Sequence, residues 1–178
     1  MLKSFQETFD QVLNRLRELN GSKAVDDRGS CCYRIEGKVG CPIGALIPEE
    51  MYSENMEAHG ANDWPVKEAL EILGYDPDFC RFLQTVHDKV QAHRWEDTMY
   101  LIAKDLGLHY IAPYNHQFAE GIDSIDSASI LGRTGIYGSP EEVATLIDTF
   151  KRQDQAYYEM YDILKQVNPK VAPDDIVR

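Results

Sequence analysis

Apolar side chains recur at helical spacing in several separate stretches of this chain, and each stretch is fenced by residues that start or stop a helix. Phe5, Phe9, Val12, Leu13, Leu16 and Leu19 form the first stripe. Asn20-Gly21 ends it, the glycine supplying the left-handed turn that closes a helix. Asp63-Trp64-Pro65 opens a second helix and Gly74 stops it. Asp76 and Pro77 open a third, as N-cap and first helical residue, with Phe79, Phe82, Leu83, Val86 and Val90 as its buried face. After a break near His93, Trp95, Met99, Leu101, Ile102 and Leu106 line a fourth, which Gly107 stops. Ser139-Pro140-Glu141-Glu142 is a capping box, and the helix behind it should run to Asn168-Pro169, about 42 Å at 1.5 Å per residue. Such punctuation confines the chain to a mainly α fold. Phe5, Phe9, Leu13, Leu46, Phe82, Val86, Trp95 and Ile102 are the expected core.

Two stretches break the helical pattern. The first, Cys31–Gly60, packs three cysteines, two prolines and a Tyr33-Arg34 pair. Cys31–Glu36 can form a strand that Gly37-Lys38 turns back into Val39-Gly40-Cys41, a hairpin that needs a helix to cover it. Pro42 and then Pro48-Glu49-Glu50 can each open a short helical turn. The second stretch, 113–138, is rich in Ser, Asp and Gly and reads as a long loop or linker. The expected organisation is a compact helical domain with one small β-hairpin over 1–112, the loop over 113–138, and a long C-terminal helix with its tail over 139–178. In that helix Val143, Phe150, Tyr157 and Leu164 recur every seven residues, with Ile147, Asp154 and Tyr161 between them. The stripe can pack along its own domain, or it can form a homodimer through residues 140–167.

Charge narrows the partners. Lys and Arg number 18 against 30 Asp and Glu, a net charge of −12. Nucleic acid and anionic membranes repel such a surface, so direct binding to either is not expected, whereas a host protein with a basic surface is a suitable partner. Neither an N-terminal leader nor a membrane-length apolar run is visible, and four cysteines, two of them adjacent, do not make a secreted disulfide framework. Cytoplasm is the expected compartment.

Several residue groups invite a chemical reading. Cys31, Cys32 and Cys41, with His59 or Cys80, could bind zinc, but paired close spacings are missing and adjacent strand residues face opposite ways. Small buried cysteines, with no cofactor, are the expectation. His59, His87, Asp88 and Asp148 follow the residue order of HD-type metal phosphohydrolases, with His87 and Asp88 as the catalytic pair. Against that enzyme stands a simpler reading of His87 as the rim of the Phe82-Val86-Val90 stripe. Cys41 before Pro42 is a further candidate, a nucleophile near a helix N-terminus. Gly132, Arg133, Thr134, Gly135 and Ser139 lead straight into the last helix. Glycine amides and a helix end suit an anion, so this loop, with Arg133 as its cation, is the candidate site for a small phosphorylated nucleotide signal.

The first irregular block also carries a resemblance. Cys32-Tyr33-Arg34, Gly37, Cys41, Gly44, Leu46-Ile47-Pro48-Glu49-Glu50, Tyr52 and Met56-Glu57 are similar to a family of short uncharacterised proteins from bacteriophages and bacterial prophage regions. The likeness extends loosely through Leu83-Gln84 and His87-Asp88 to Trp95 and covers residues 5–108. Family members often carry a second cysteine after the glycine, where this chain has Ala45. The resemblance implies a phage protein in the host bacterial cytoplasm, acting without catalysis by binding and inhibiting a host component such as an immune or defence factor.

Overall fold

Ser4 begins the first helix of the computed structural model, which describes residues 2–167 together with 169 and 170. Its hydroxyl accepts from the Glu7 N–H at 3.1 Å, and the Glu7 carboxylate accepts from the Ser4 N–H at 2.9 Å. This reciprocal cap satisfies two of the donors that every helix start leaves over. Helix α1 (Phe5–Glu18) then turns Phe5, Phe9, Val12, Leu13 and Leu16 inward. Four further helices follow the expected fencing: α2 (Val66–Ile72), α3 (Pro77–Lys89), α4 (Trp95–Leu106) and, after a short α5 (Ser127–Leu131), α6 (Pro140–Val167). Asp76 caps α3 by accepting from the Phe79 N–H at 2.9 Å, and Gly107 closes α4 at φ 73°.

Strands β1 (Arg34–Ile35) and β2 (Lys38–Val39) pair antiparallel, Arg34 opposite Val39 and Ile35 opposite Lys38. The turn sits on Glu36-Gly37, one residue earlier than Gly37-Lys38. Both residues have positive φ, 50° and 72°, the two-residue geometry that matches strand twist. The proline-led segments beyond form short 3₁₀ turns, Gly44–Leu46 and Glu49–Met51, followed by Glu54–Met56.

One hydrophobic core joins all of this to the C-terminal helix. Phe5 of α1 stacks on Phe79 of α3 with centroids 4.2 Å apart. Phe150 of α6 meets Phe5, Phe79 and Phe82 edge-on at 5.6, 5.3 and 5.4 Å. All eight expected core residues are buried, and Val143, Ile147 and Phe150 are buried with them. The C-terminal helix thus packs along its own domain through its first three turns, and no separate unit begins at 113. Its helix is described to Val167; the expected end at Asn168 and the tail over 171–178 lie outside the described residues.

The stretch 113–138 is not one long loop. It holds α5 and two 3₁₀ turns, Ile122–Ser124 and Gly132–Thr134, and it buries Ile122, Ala128 and Leu131. Asp105 of α4 anchors it, accepting from both the N–H and the hydroxyl of Ser127 at 2.7 and 2.6 Å. Asp126 caps α5 through the Ser129 N–H at 2.7 Å. Among the described residues, no helix is long and apolar enough to cross a membrane.

Candidate functional site

The Cys31–Gly60 block is a fastening built around a buried cation. The Arg34 guanidinium donates to the carbonyls of Tyr33, Gly44 and Ile47 at 3.1, 2.8 and 2.7 Å and pairs with Glu49 at 3.1 Å. It also sits 4.8 Å from the ring centre of Tyr52. Glu57 holds the other side, its carboxylate accepting from the Tyr33 N–H, the Arg34 N–H and the Tyr52 hydroxyl, each at 2.9 Å. Gly44 lets these backbones meet, since a Cβ there would stand 2.3 Å from the Tyr33 carbonyl oxygen. The residues that make the block distinctive satisfy one another's hydrogen bonds and so specify a segment of short strands and turns.

A second polar chain leads from this fastening to α3. The Tyr33 hydroxyl donates to the His59 carbonyl at 2.8 Å and accepts from Gln84 Nε2 at 3.2 Å. Gln84 Oε1 accepts from the Ala61 N–H and from Arg81, both at 3.0 Å, and Arg81 pairs with Asp88 at 3.4 Å. His87 is fully buried, not at the rim of the stripe. The Ala24 N–H donates to its Nε2 at 3.1 Å, which makes it the Nδ1–H tautomer, and Nδ1 donates to Asp88 at 3.0 Å. Both ring nitrogens are therefore engaged.

The structure does not bring the four residues of the phosphohydrolase reading together. Among the described residues, the group whose ligand atoms approach within 4.8 Å of one another is Cys31, His87 and Asp88; neither His59 nor Asp148 belongs to it. Asp148 lies on the exposed face of α6 beside Lys151, and His59 is turned to its own neighbour, the Glu57 carbonyl, at 3.1 Å. A cation at His87 would have to displace a proton that Asp88 already holds by hydrogen bond. Burial opposes the Asp88 charge, but hydrogen bonds from His87 and Cys31 and the charges nearby outweigh it and hold the carboxyl below its ordinary range. Burial and the Asp88 carboxylate push the Cys31 thiol up. Burial likewise pushes Cys41 up to about 12 although the Gly44 N–H reaches its sulfur, the opposite of the depressed thiol that nucleophilic attack favours.

The glycine loop divides into structural and available residues. Gly132 lies against the next helix, where a Cβ would stand 2.6 Å from the Pro140 nitrogen. Gly135 turns the chain at φ 71°. Ser139 accepts from the Glu142 N–H at 3.3 Å and its own N–H donates to the Glu142 carboxylate at 2.7 Å, so the start of α6 is already capped by an anion of the chain. Thr134 donates its hydroxyl to the Leu131 carbonyl at 2.6 Å. Arg133 is different. With Lys89 from the end of α3 and Arg94 from the turn before α4, it lines a cleft of 210 Å³ whose wall includes Gln91 and Thr134. None of the three cationic side chains makes an ion pair or hydrogen bond among the described residues.

Lys89 and Arg94 carry no signal in the sequence, because they come from separate elements and sit at no telling spacing from Arg133. Comparison with protein-family models, with curated proteins and with solved structures returns no match.

Proposed function

We propose that this protein is a non-catalytic binder of a small phosphorylated ligand, taken up in the cleft between Lys89, Arg94 and Arg133. One observation carries the reading. Acids outnumber bases 30 to 18, yet three cationic residues line one small cleft without an acid among its lining residues. A surface lined by like charges attracts an anion, and a phosphate suits it through charge-assisted hydrogen bonds. In the phage setting that the Cys31 block's resemblance implies, capturing such a ligand would deprive a host immune factor of its nucleotide signal, which is inhibition without catalysis.

Isothermal titration of orthophosphate into the wild type and the Arg133→Ala variant tests this. Each charge-assisted contact contributes about 1.5–3 kcal/mol, so Arg133→Ala should weaken binding about 10- to 100-fold. Equal binding by both proteins, or no binding by the wild type, refutes the reading.

A second reading, self-association, is favoured by a different observation. Met160, Ile163 and Val167 lie on one stripe of α6 and are 47%, 58% and 80% exposed. A homodimer would have to use these distal turns, because Val143, Ile147 and Phe150 are buried in the chain's own core. Light scattering should then give twice the monomer mass, reduced to one by Ile163→Glu; a monomer in the wild type rejects it.

A further inference from the structure

The cationic cleft does not stand alone. Lys89 also borders a second, larger cleft of 370 Å³ lined by Ser30, Cys31, His59, Gln84 and Asp88. The segment 133–136 borders both, with Arg133 and Thr134 on the small side and Ile136 on the large. The two differ in charge. The small cleft is lined by three cationic residues with no acid, whereas the large one sets Arg81 against Asp88 at 3.4 Å and shares Lys89 with the small one. They differ in size as well. A volume of 370 Å³ falls within the roughly 300–1,000 Å³ of small-molecule sites, and 210 Å³ lies below it.

Building on the proposed phosphate cleft, we infer that the ligand is a nucleoside monophosphate lying across Lys89. Its phosphate sits among Lys89, Arg94 and Arg133, and its nucleoside occupies the larger cleft. The Asp88 carboxylate that lines that cleft repels a second phosphate and, with lone pairs beyond those used by His87 and Arg81, can accept a hydrogen bond from a sugar hydroxyl or an exocyclic amine. Cys31 and the exposed His59 also line the cleft and offer the softer, flatter surfaces a base needs. A ligand with one anionic end and a neutral hydrogen-bonding body fits both compartments. Inorganic phosphate fills only the small cleft, and a nucleoside fills only the large one.

Calorimetric titration of orthophosphate, adenosine and a panel of nucleoside monophosphates into the wild type, Ser30→Trp and Lys89→Ala decides the matter. At least one nucleoside monophosphate should bind tenfold or more tightly than orthophosphate and than adenosine. Ser30→Trp, a bulky side chain at the exposed edge of the large cleft, should remove that advantage and leave phosphate affinity unchanged. Lys89→Ala should weaken phosphate and nucleotide by a similar factor. Wild-type protein that binds phosphate and every nucleotide equally overturns this inference and leaves the phosphate cleft standing, as does a nucleotide advantage that survives in Ser30→Trp. Absence of heat with any phosphorylated compound overturns the cleft itself.

Discussion

Replacing Glu57 with alanine should loosen the Cys31–Gly60 block more than any other surface-reaching substitution in it. The carboxylate accepts from two backbone N–H groups and one hydroxyl, all at 2.9 Å. Hydrogen bonds to a charged group contribute about 1.5–3 kcal/mol each. Three in one site are not additive, and water can reach a half-buried position, so about 3–5 kcal/mol is the expected loss. With a urea slope near 2 kcal/mol/M, the unfolding midpoint should fall by about 2 M. Glu57→Gln should lose roughly half as much, since one of its two terminal atoms is a donor facing an N–H. Glu50, seven residues earlier and exposed, is the control, and Glu50→Ala should change stability by less than about 0.5 kcal/mol. Urea unfolding followed by tryptophan fluorescence measures all three. Glu57→Ala within 1 kcal/mol of Glu50→Ala would show that the fastening does not hold the block.

Three further outcomes follow from the geometry. Phe150→Ala, which removes a ring packed on Phe5, Phe79 and Phe82, should cost about 3–5 kcal/mol in the same assay; less than 1 kcal/mol would mean that α6 is not part of the core. The Asp88 carboxyl is held below its unfolded value of about 3.9, so its contribution is complete above that pH and disappears as pH falls through the folded pKa. The stability gap between wild type and Asp88→Asn should therefore be constant from pH 7 to 5 and narrow below about pH 4; a gap that widens on acidification contradicts the sign. Cys41 and Cys80 are buried with thiols raised by burial, so iodoacetamide should label them only after unfolding, as mass spectrometry of native and denatured samples would show. Labelling of either in the native protein within minutes counts against the packing.

Much of this fold is legible in the sequence because helix ends are written in local chemistry. Asp76-Pro77, Gly107 and the Ser139–Glu142 box act on neighbours three or four residues away, and each stands where it was expected. Helix α5 was hidden because Ser127–Leu131 is too short for a period and too polar for a stripe; its anchor, Asp105, is 22 residues back. His87 was hidden for a related reason. An apolar stripe says that a histidine is near the core, but only the fold brings the Ala24 N–H, 63 residues away, to its ring. The glycine loop misled in an instructive way. Gly132, Gly135 and Ser139 look like an anion cradle, yet close packing on Pro140, a turn and a helix cap account for them. Arg133 alone signalled the cleft, and charge without local partners is a property that a linear reading does not reveal.

The account rests on Arg94 and Arg133 receiving a phosphate, and arginine side-chain resonances report that contact residue by residue. Nε–Hε correlations recorded during titration with a nucleoside monophosphate should show the Arg94 and Arg133 signals moving together and saturating. The Arg34 signal, locked among three carbonyls and Glu49, should stay fixed. Unmoved Arg94 and Arg133 signals at a nucleotide concentration that shifts others, or at saturating nucleotide with no shift anywhere, would contradict the assignment of this cleft as the binding site.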